Sequence, residues 1–448
     1  MKSWLKVTKP LMRTSRPLKM PADPDEIADV VLGRFKKLPT KRRPQVRDNG
    51  LHEWVPLSGI VAEKDGVLTC LSLATGMKCL PASKLPLAKG NALHDWHAEV
   101  LAIRAFNRYL LDECDTHSQG SSPTSDIITR RPPSAISPSS PQPFAIRDDV
   151  TLHMYCSEAP CGDASMELTM AAQEDASPWE LPPSSASPSG TTTTPPPQTT
   201  TDTTPLPGRA YFSHLGIVRR KPARGDAPPT TSKSCSDKLA LKQCNSLLAS
   251  LASLLIHPGN AYVSSVILPE SEYSATGCER AFSASGRMKA VVDEAARWKG
   301  GYRFSPFEVR TTSREFEFSK RMVRRRAGAD KIAASNLAAA WTRGGGVDEG
   351  TMGGVLQGRK AFDVRGASLV SRRRMWELAA AVAERVATEG GDDDEVGGLL
   401  RRALDVDAYG KVKGGEMLVH RREVKEAARR VALAGWVVNV GDEEFARL

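Results

Sequence analysis

The 448-residue sequence has no apolar run approaching the ~20 residues that a membrane-spanning helix needs. No apolar signal segment precedes its cysteines, which sit at positions 70, 79, 114, 156, 161, 235, 244 and 278. They show none of the short spacings of a secreted disulfide framework. No internal repeat is present, which argues against a solenoid or propeller. These absences lead us to expect an intracellular protein, of cytoplasm or nucleus, whose thiols are reduced and serve as ligands or core residues.

Apolar residues make up 40% of the chain, enough for a sizeable core, and 62 Lys and Arg against 52 Asp and Glu leave a formal charge of +10. The basic residues cluster at Lys36-Lys37, Lys41 to Arg47, Arg219 to Lys221, Lys320 to Arg326 and Arg372 to Arg374. Such clusters suit a partner that carries phosphates, although solvated surface charge would explain any one of them equally well. The first twenty residues hold six Lys or Arg and no acid, interrupted by Pro10 and Pro17. That reads as a disordered tail over residues 1–22 rather than a transit peptide.

Ser-, Pro- and Thr-rich stretches run from about 116 to 143 and from about 174 to 207. They read as insertions within one domain over 23–448, because motifs that need each other lie on both sides. Elsewhere strands at Gly59–Ala62, Val67–Ala74, Val150–Tyr155 and Tyr262–Leu268 alternate with helices. The helices are expected at Trp96–Leu111, Cys161–Ala171, Leu239–Ile256, Ser368–Thr388 and Val419–Leu433. That alternation predicts an α/β layered fold.

His97 and Glu99 form a His-x-Glu at a helix start, with Asp95 placed as the helix cap. Histidine is a zinc ligand and a nearby carboxylate can move protons, the pairing needed to activate water. Alone the motif is weak, since a capped surface helix would account for it. Pro160-Cys161 adds a thiol at a strand-to-helix turn. Zinc deaminases carry a second cysteine three residues on, but position 164 is Ala. Cys235, with Ser236 and Asp237 available to cap the following helix, is the replacement favoured over Cys156 and Cys244. Cys156 alternates away in its strand, and Cys244 lies more than two turns into its helix.

Three runs, Leu93-His-Asp-Trp-His-Ala-Glu-Val100, Ala159-Pro-Cys-Gly-Asp-Ala164 and Ser234-Cys-Ser-Asp-Lys238, together resemble the adenosine deaminases acting on RNA. Arg47-Asp-Asn-Gly50, Trp54-Val-Pro-Leu-Ser-Gly59, Ala74-Thr-Gly-Met-Lys-Cys-Leu80, Gly354-Val-Leu-Gln-Gly-Arg-Lys360 and Gly435-Trp436 also agree. The resemblance covers about residues 23 to 448 outside the insertions. With only a short tail before the deaminase domain and no duplex-RNA-binding module, it is similar to the fungal type of the tRNA-specific branch. The resemblance implies a three-layer α/β/α core of the cytidine-deaminase type with an extended C-terminal part. It implies zinc on His97, Cys161 and Cys235, with Glu99 as proton carrier, converting adenosine 37 of alanine tRNA to inosine.

It also implies a buried inositol hexakisphosphate, with matching positions at Arg104, Lys238, Lys360, Tyr409, Lys413 and Trp436. Asp95 and Lys238 match the contacts that link this polyanion to a zinc ligand. Ile103, Leu241 and Lys242 depart from the Arg, Arg and Trp of related editors, and the basic residues could instead line an RNA surface. Lys78 matches a position near the substrate backbone, or is a solvated hairpin charge. The partner expected is tRNA, with no DNA, membrane or protein partner implied. A deaminase of free nucleosides or cytosine, and an inactive RNA-binding homologue, are the rival readings. The basic surface and the distant third cysteine oppose the first, and Glu99 opposes the second.

Overall fold

The computed structural model describes residues 22–119, 124–172, 206–207, 214–222, 227–390 and 395–447. Strands β1 (Leu57–Lys64) and β2 (Val67–Thr75) form a hairpin. Its two-residue turn is Asp65-Gly66, both at positive φ (51° and 79°), as the right-handed twist of a tight hairpin requires. They join β3 (Val150–Cys156), β4 (Val263–Pro269), β5 (Glu308–Thr312), β6 (Leu337–Thr342), β7 (Asp348–Met352) and β8 (Val355–Leu356) in one eight-stranded sheet. The order is β5-β4-β3-β1-β2-β6-β7-β8, with β3, β4 and β5 parallel and the other pairings antiparallel.

Helix α1 (Pro24–Phe35) buries Ile27, Ala28, Val31 and Phe35 against one face of the sheet. Its start is fixed by Asp23, whose carboxylate accepts from the Asp25 N–H, and by Pro24 at the first helical position. Helix α2 (Ala98–His117) covers the other face, with Leu101, Ala102, Ala105, Phe106 and Leu110 buried. The fold is therefore mixed α/β with helices on both sides of the sheet, as the alternation of patterns predicts.

Outside α2 lies the C-terminal part, built from α3 (Cys235–Asn245), α4 (Lys320–Ala327), α5 (Arg372–Gly390), α6 (Glu395–Leu404), α7 (Tyr409–Gly414) and α8 (Val419–Val431), of which α4 sits apart near the N-terminal end of β1. Trp376 on α5 is wholly buried, lies tilted to Tyr409 and edge-on to Phe445, and donates its indole N–H to Leu404 O at 3.0 Å.

Three expectations are corrected. The helix expected over Leu239–Ile256 is two, α3 and Ser250–Leu255, broken at Ser246 with φ 60°. The apolar periodicity runs through the break because both pieces face the same core. Helix α2 begins at Ala98, and Asp95 is not its cap residue. Within the stretch read as a first insertion, Ile128–Arg130 is a strand paired with Phe144–Ile146, and Ile127 and Ile128 are buried. The expectations for residues 1–21 and 173–205 lie outside the described residues, whereas Leu206–Pro207 pairs with Arg219–Arg220.

Strands β2 and β3 both run antiparallel to β1, so Thr75 and Cys156 reach the same edge of the sheet, opposite Leu57 and Ser58. The segments that leave them carry the residues of interest. Truncating Trp376 to Ala should lower the unfolding free energy by about 3–5 kcal/mol. Val440→Ala, at a position 68% exposed, should change it by less than about 0.5 kcal/mol. Denaturant titration of the two variants separates these outcomes.

Candidate active site

Gly76, at φ 142°, ends β2 where an added Cβ would collide with the carbonyl of Trp96. This close approach lets the Gly76 carbonyl accept the Ala98 N–H at 2.9 Å, and the Lys78 carbonyl accept the Trp96 N–H at 3.0 Å. His97 is thereby held at the N-terminus of α2, in the cap position. Glu99, the second residue of the helix, is buried.

The loop after β3 delivers Cys161. Gly162, at φ 106°, passes so close to Ser234 that a Cβ there would collide with it. Ser234, rather than Ser236 or Asp237, caps α3: its hydroxyl accepts the Asp237 N–H at 3.1 Å. Cys235 is thus the first helical residue, and its N–H donates to Cys161 Sγ at 3.3 Å. Ala164 is buried in the core beneath this loop, where it takes no part in the cluster. Of the thiols set aside on sequence, Cys156 is buried beside Glu99 and Cys244 is buried within α3.

Asp95 organises what surrounds these residues. One carboxylate oxygen accepts both the His97 N–H (3.0 Å) and faces His97 Nδ1 (2.9 Å). The other accepts Lys221 Nζ (2.9 Å), Ser232 Oγ (2.6 Å) and Lys238 Nζ. Burial alone would raise the Asp95 pKa, but Lys221, Lys238 and His97 hold it well below the carboxylate range. Lys221 also donates to Cys235 Sγ at 3.2 Å, so it spans the carboxylate and the thiol.

The electrostatics divide the labour. Between the two thiols, Cys161 is the one held as thiolate, by a hydrogen bond from Cys235 and, against the cost of burial, by Lys221 and His97. Burial raises the Glu99 pKa, and the negative charge of Cys161 adds to it. A carboxyl shifted upwards beside a thiolate is suited to taking and returning a proton.

His97, Glu99, Cys161, Cys235 and Lys221 therefore form one interacting group. Among the described residues, Cys79, Asp95 and His97 bring their ligand atoms within 4.8 Å of one another, a group compatible with zinc. Asp95 is already saturated by donors there, and Cys79 Sγ lies 3.6 Å from the same Nδ1 that Asp95 engages. Nε2 is the ring nitrogen left for a metal, and two thiols are the better zinc donors.

Lys221 and Ser232 were not anticipated: neither lies in a motif, and Lys221 counted only as part of a basic run. Arg219 in that run is also wholly buried, its backbone N–H on Asp237 at 2.9 Å, so two of the three cations at 219–221 are withdrawn from the surface. Arg373 is buried as well, bound to Asn91 at 2.8 Å.

Five of the six positions matched to a polyanion gather on the far side of Asp95. Arg104 is bound to the Val370 carbonyl, Tyr409 lies under Arg372, and Lys233 and Arg429 stand over the Trp436 ring at 5.2 and 5.1 Å. Lys413 interacts with Arg372 and Arg429, and Lys238 with Lys233. Lys360, in contrast, is exposed in the loop after β8, beside Asp363.

The profile of the adenosine-deaminase (editase) domain matches residues 72–439. The chain belongs to this adenosine deaminase family. It is 35% identical over 370 residues to the tRNA-specific adenosine deaminase 1 of Schizosaccharomyces pombe, a match spanning 81% of this chain and 86% of the relative. The Saccharomyces cerevisiae protein of the same name is 32% identical over 240 residues, half of this chain and 53% of its own. That of Mus musculus is 26% identical over 248 residues, 53% of this chain and 45% of its own. As a member of the deaminase family the chain is a hydrolase. No helix among the described residues is long and apolar enough to cross a membrane.

If Lys221 holds Cys235 and Asp95 in place for a metal, Lys221→Met should weaken zinc retention roughly 10–100-fold. Competition against a calibrated chelator reads this directly, and unchanged retention would reduce Lys221 to a packing role.

Proposed function

We propose that this deaminase converts an adenosine of tRNA to inosine, acting at nucleotide 37 beside the anticodon of alanine tRNA. The observation that carries the reading is Glu99: a buried carboxyl with a raised pKa, set against the Cys161–Cys235 pair and His97. A structural metal site has no use for such a group. The tRNA substrate rests on the names of the relatives, above all the one matched over 86% of its length.

His97, Cys161 and Cys235 would hold zinc, which when bound supplies a Lewis acid that brings water's pKa towards neutrality. The chain's own residues do the rest. Asp95 fixes His97 through Nδ1 and leaves Nε2 free. Lys221 steadies the Cys235 thiol. Glu99 takes a proton from water and returns protons to purine N1 and to the departing amine, so that adenosine and water give inosine and ammonia. An anticodon-loop base is already outside a duplex, which lowers the cost of placing it in a pocket.

The cation cluster fits a buried inositol hexakisphosphate. Burial lowers the pKa of Lys425 to about 6, with Arg421, Arg429, Lys413 and Lys233 adding to it. Lys242 is lowered well below the lysine value by burial, Arg421 and Lys425. Burial and Arg372 bring Arg104 down to about 10. The Nε atoms of Arg421 and Arg429 are buried without a hydrogen-bond partner. So many enclosed like charges are unfavourable unless an anion joins them. Arg104, Lys413, Tyr409, Trp436 and Lys238 would surround it, with Lys242, Arg421, Lys425 and Arg429 added by the fold. The remaining elements of the reading are a single domain over 23–448, supported by one sheet that takes strands from Leu57–Lys64 through Val355–Leu356, and a nuclear or cytoplasmic setting, which suits tRNA as partner.

Glu99→Gln should lower inosine formation on alanine tRNA by at least about 100-fold while leaving metal content intact. Sequencing total tRNA after incubation with each protein reports inosine at its position, and undiminished inosine with the variant overturns the mechanism.

A second outcome concerns the polyanion. Lysines lowered in the folded state mean that the unfolded chain, titrating near ~10.4, binds more protons between about pH 6 and ~10. Stability of polyanion-free protein should therefore rise with pH across that window. Added inositol hexakisphosphate should raise the melting temperature at neutral pH and flatten this dependence. A melting temperature indifferent to the polyanion would remove it from the proposal.

A further inference from the structure

Helix α4 (Lys320–Ala327) is the most strongly charged element of the chain, with five Lys or Arg in eight residues and no acid. Only Val323 anchors it in the core. Lys320 and Arg324, and likewise Arg321 and Arg325, stand four residues apart on the same side. Such like-charge pairs disfavour a helix this short. Local contacts hold it in place instead: the Ser319 hydroxyl caps it, accepting the Met322 N–H at 3.3 Å, and the Arg326 guanidinium lies 5.8 Å from the Phe318 ring. Arg321 pairs with Glu315, but among the described residues no carboxylate pairs with the exposed Arg324 or Arg325.

The position of α4 gives this charge a purpose. The Lys320 N–H donates to Glu158 at 2.9 Å, and Glu158 lies in the same loop as Cys161, three residues earlier. Lys320 Nζ stands 5.7 Å from the Trp54 ring, just before β1 begins. The Trp54 carbonyl accepts the Ser335 N–H at 2.9 Å, and the neighbouring Asn336 binds Lys78. Lys78 in turn is bonded through its carbonyl to Trp96, next to His97. A path of contacts therefore runs along one edge of the sheet, from the catalytic residues through Lys78 and Trp54 to α4.

We propose that α4 grips the phosphodiester backbone of the RNA whose adenosine enters the active site, with Arg324 and Arg325 as its free cations. This rests on the RNA-deaminase reading above and assigns that substrate a docking surface. Phosphate neutralisation relieves the repulsion within the helix and releases counterions from the RNA. It carries no base information, so α4 sets affinity and register while the pocket selects the base. The runs at Arg219–Lys221 and Arg372–Arg374 cannot serve in this way to the same extent, because Arg219, Lys221 and Arg373 are buried.

The test is the double variant Arg324→Ala/Arg325→Ala in the full chain, beside a control, Arg401→Ala/Arg402→Ala on α6. Filter binding of alanine tRNA over a range of salt gives Kd and its salt slope, and inosine is counted at saturating tRNA. The α4 variant should bind roughly tenfold more weakly at low salt, and its log–log salt slope should fall by about 1–2. Inosine formation at saturation and the melting temperature should stay at the parent values, and the control should bind as the parent does. A Kd and slope equal to those of the control overturn the docking role of α4. Absence of inosine with the parent protein, while the α4 variant still loses tRNA affinity, would instead overturn the deaminase reading and leave α4 as an RNA contact.

Discussion

The buried carboxylate of Asp95 is the interaction on which the rest of the centre depends. It lies beneath the start of α2, and its partners come from three separate parts of the chain: His97, the 221–232 segment and α3. An isolated carboxylate at this depth would be driven to its neutral form; with two lysines, a hydroxyl and an imidazole around it, the anion is the stable state. Removing any one donor leaves the others with unbalanced charge, so the group stands or falls as a unit. Because Asp95 engages Nδ1 of His97, it also decides that Nε2 is the ring nitrogen left open. A single electrostatic requirement thus fixes backbone entry, ring orientation and the position of Lys221.

The C-terminal part shows the opposite imbalance. Around Asp95 cations and anions are matched, whereas a few residues away, past Lys238 and Lys233, cations crowd one another without a matching set of acids. Lys238 belongs to both groups. The two halves therefore meet at one side chain, and charge brought to the cluster by the proposed polyanion would be felt, through Lys238, at the carboxylate that orients His97. Helices α5, α7 and α8 bring these like charges together, and the proposed polyanion would supply the charge that compensates them.

How much of this the sequence disclosed follows from how far each feature depends on distant chain. His97 and Glu99 are two residues apart, so their pairing at a helix start is legible locally. The replacement of a cysteine by Ala164 pointed to a distant thiol, and Cys235 does meet Cys161, although through the close passage of Gly162 over Ser234 that no local pattern reveals. The cap residue was misjudged at both helices, because Asp95 and Asp237 are drawn into charge networks while His97 and Ser234 take the cap positions. Lys221 was illegible. A lysine in a basic run looks like surface charge, and only the folded chain shows it buried between a carboxylate and a thiol.

Burial is what divides the basic runs, and it does so on physical grounds. A lysine or arginine is enclosed where an anion, or a set of carbonyls such as those that hold Arg373, compensates for lost water. Arg219 and Lys221 are neighbours of Asp237, Asp163 and Asp95, so the protein supplies their counter-charge. The charges around Lys425 are those of Arg421, Arg429, Lys413 and Lys233, and the proposed polyanion would be their compensating anion. Helix α4 keeps its charge in water and can be neutralised only from outside. One composition, an excess of ten positive charges, thus separates into a run matched by resident acids, a buried cluster of like charges and an exposed helix, and the difference lies in the anions each has at hand.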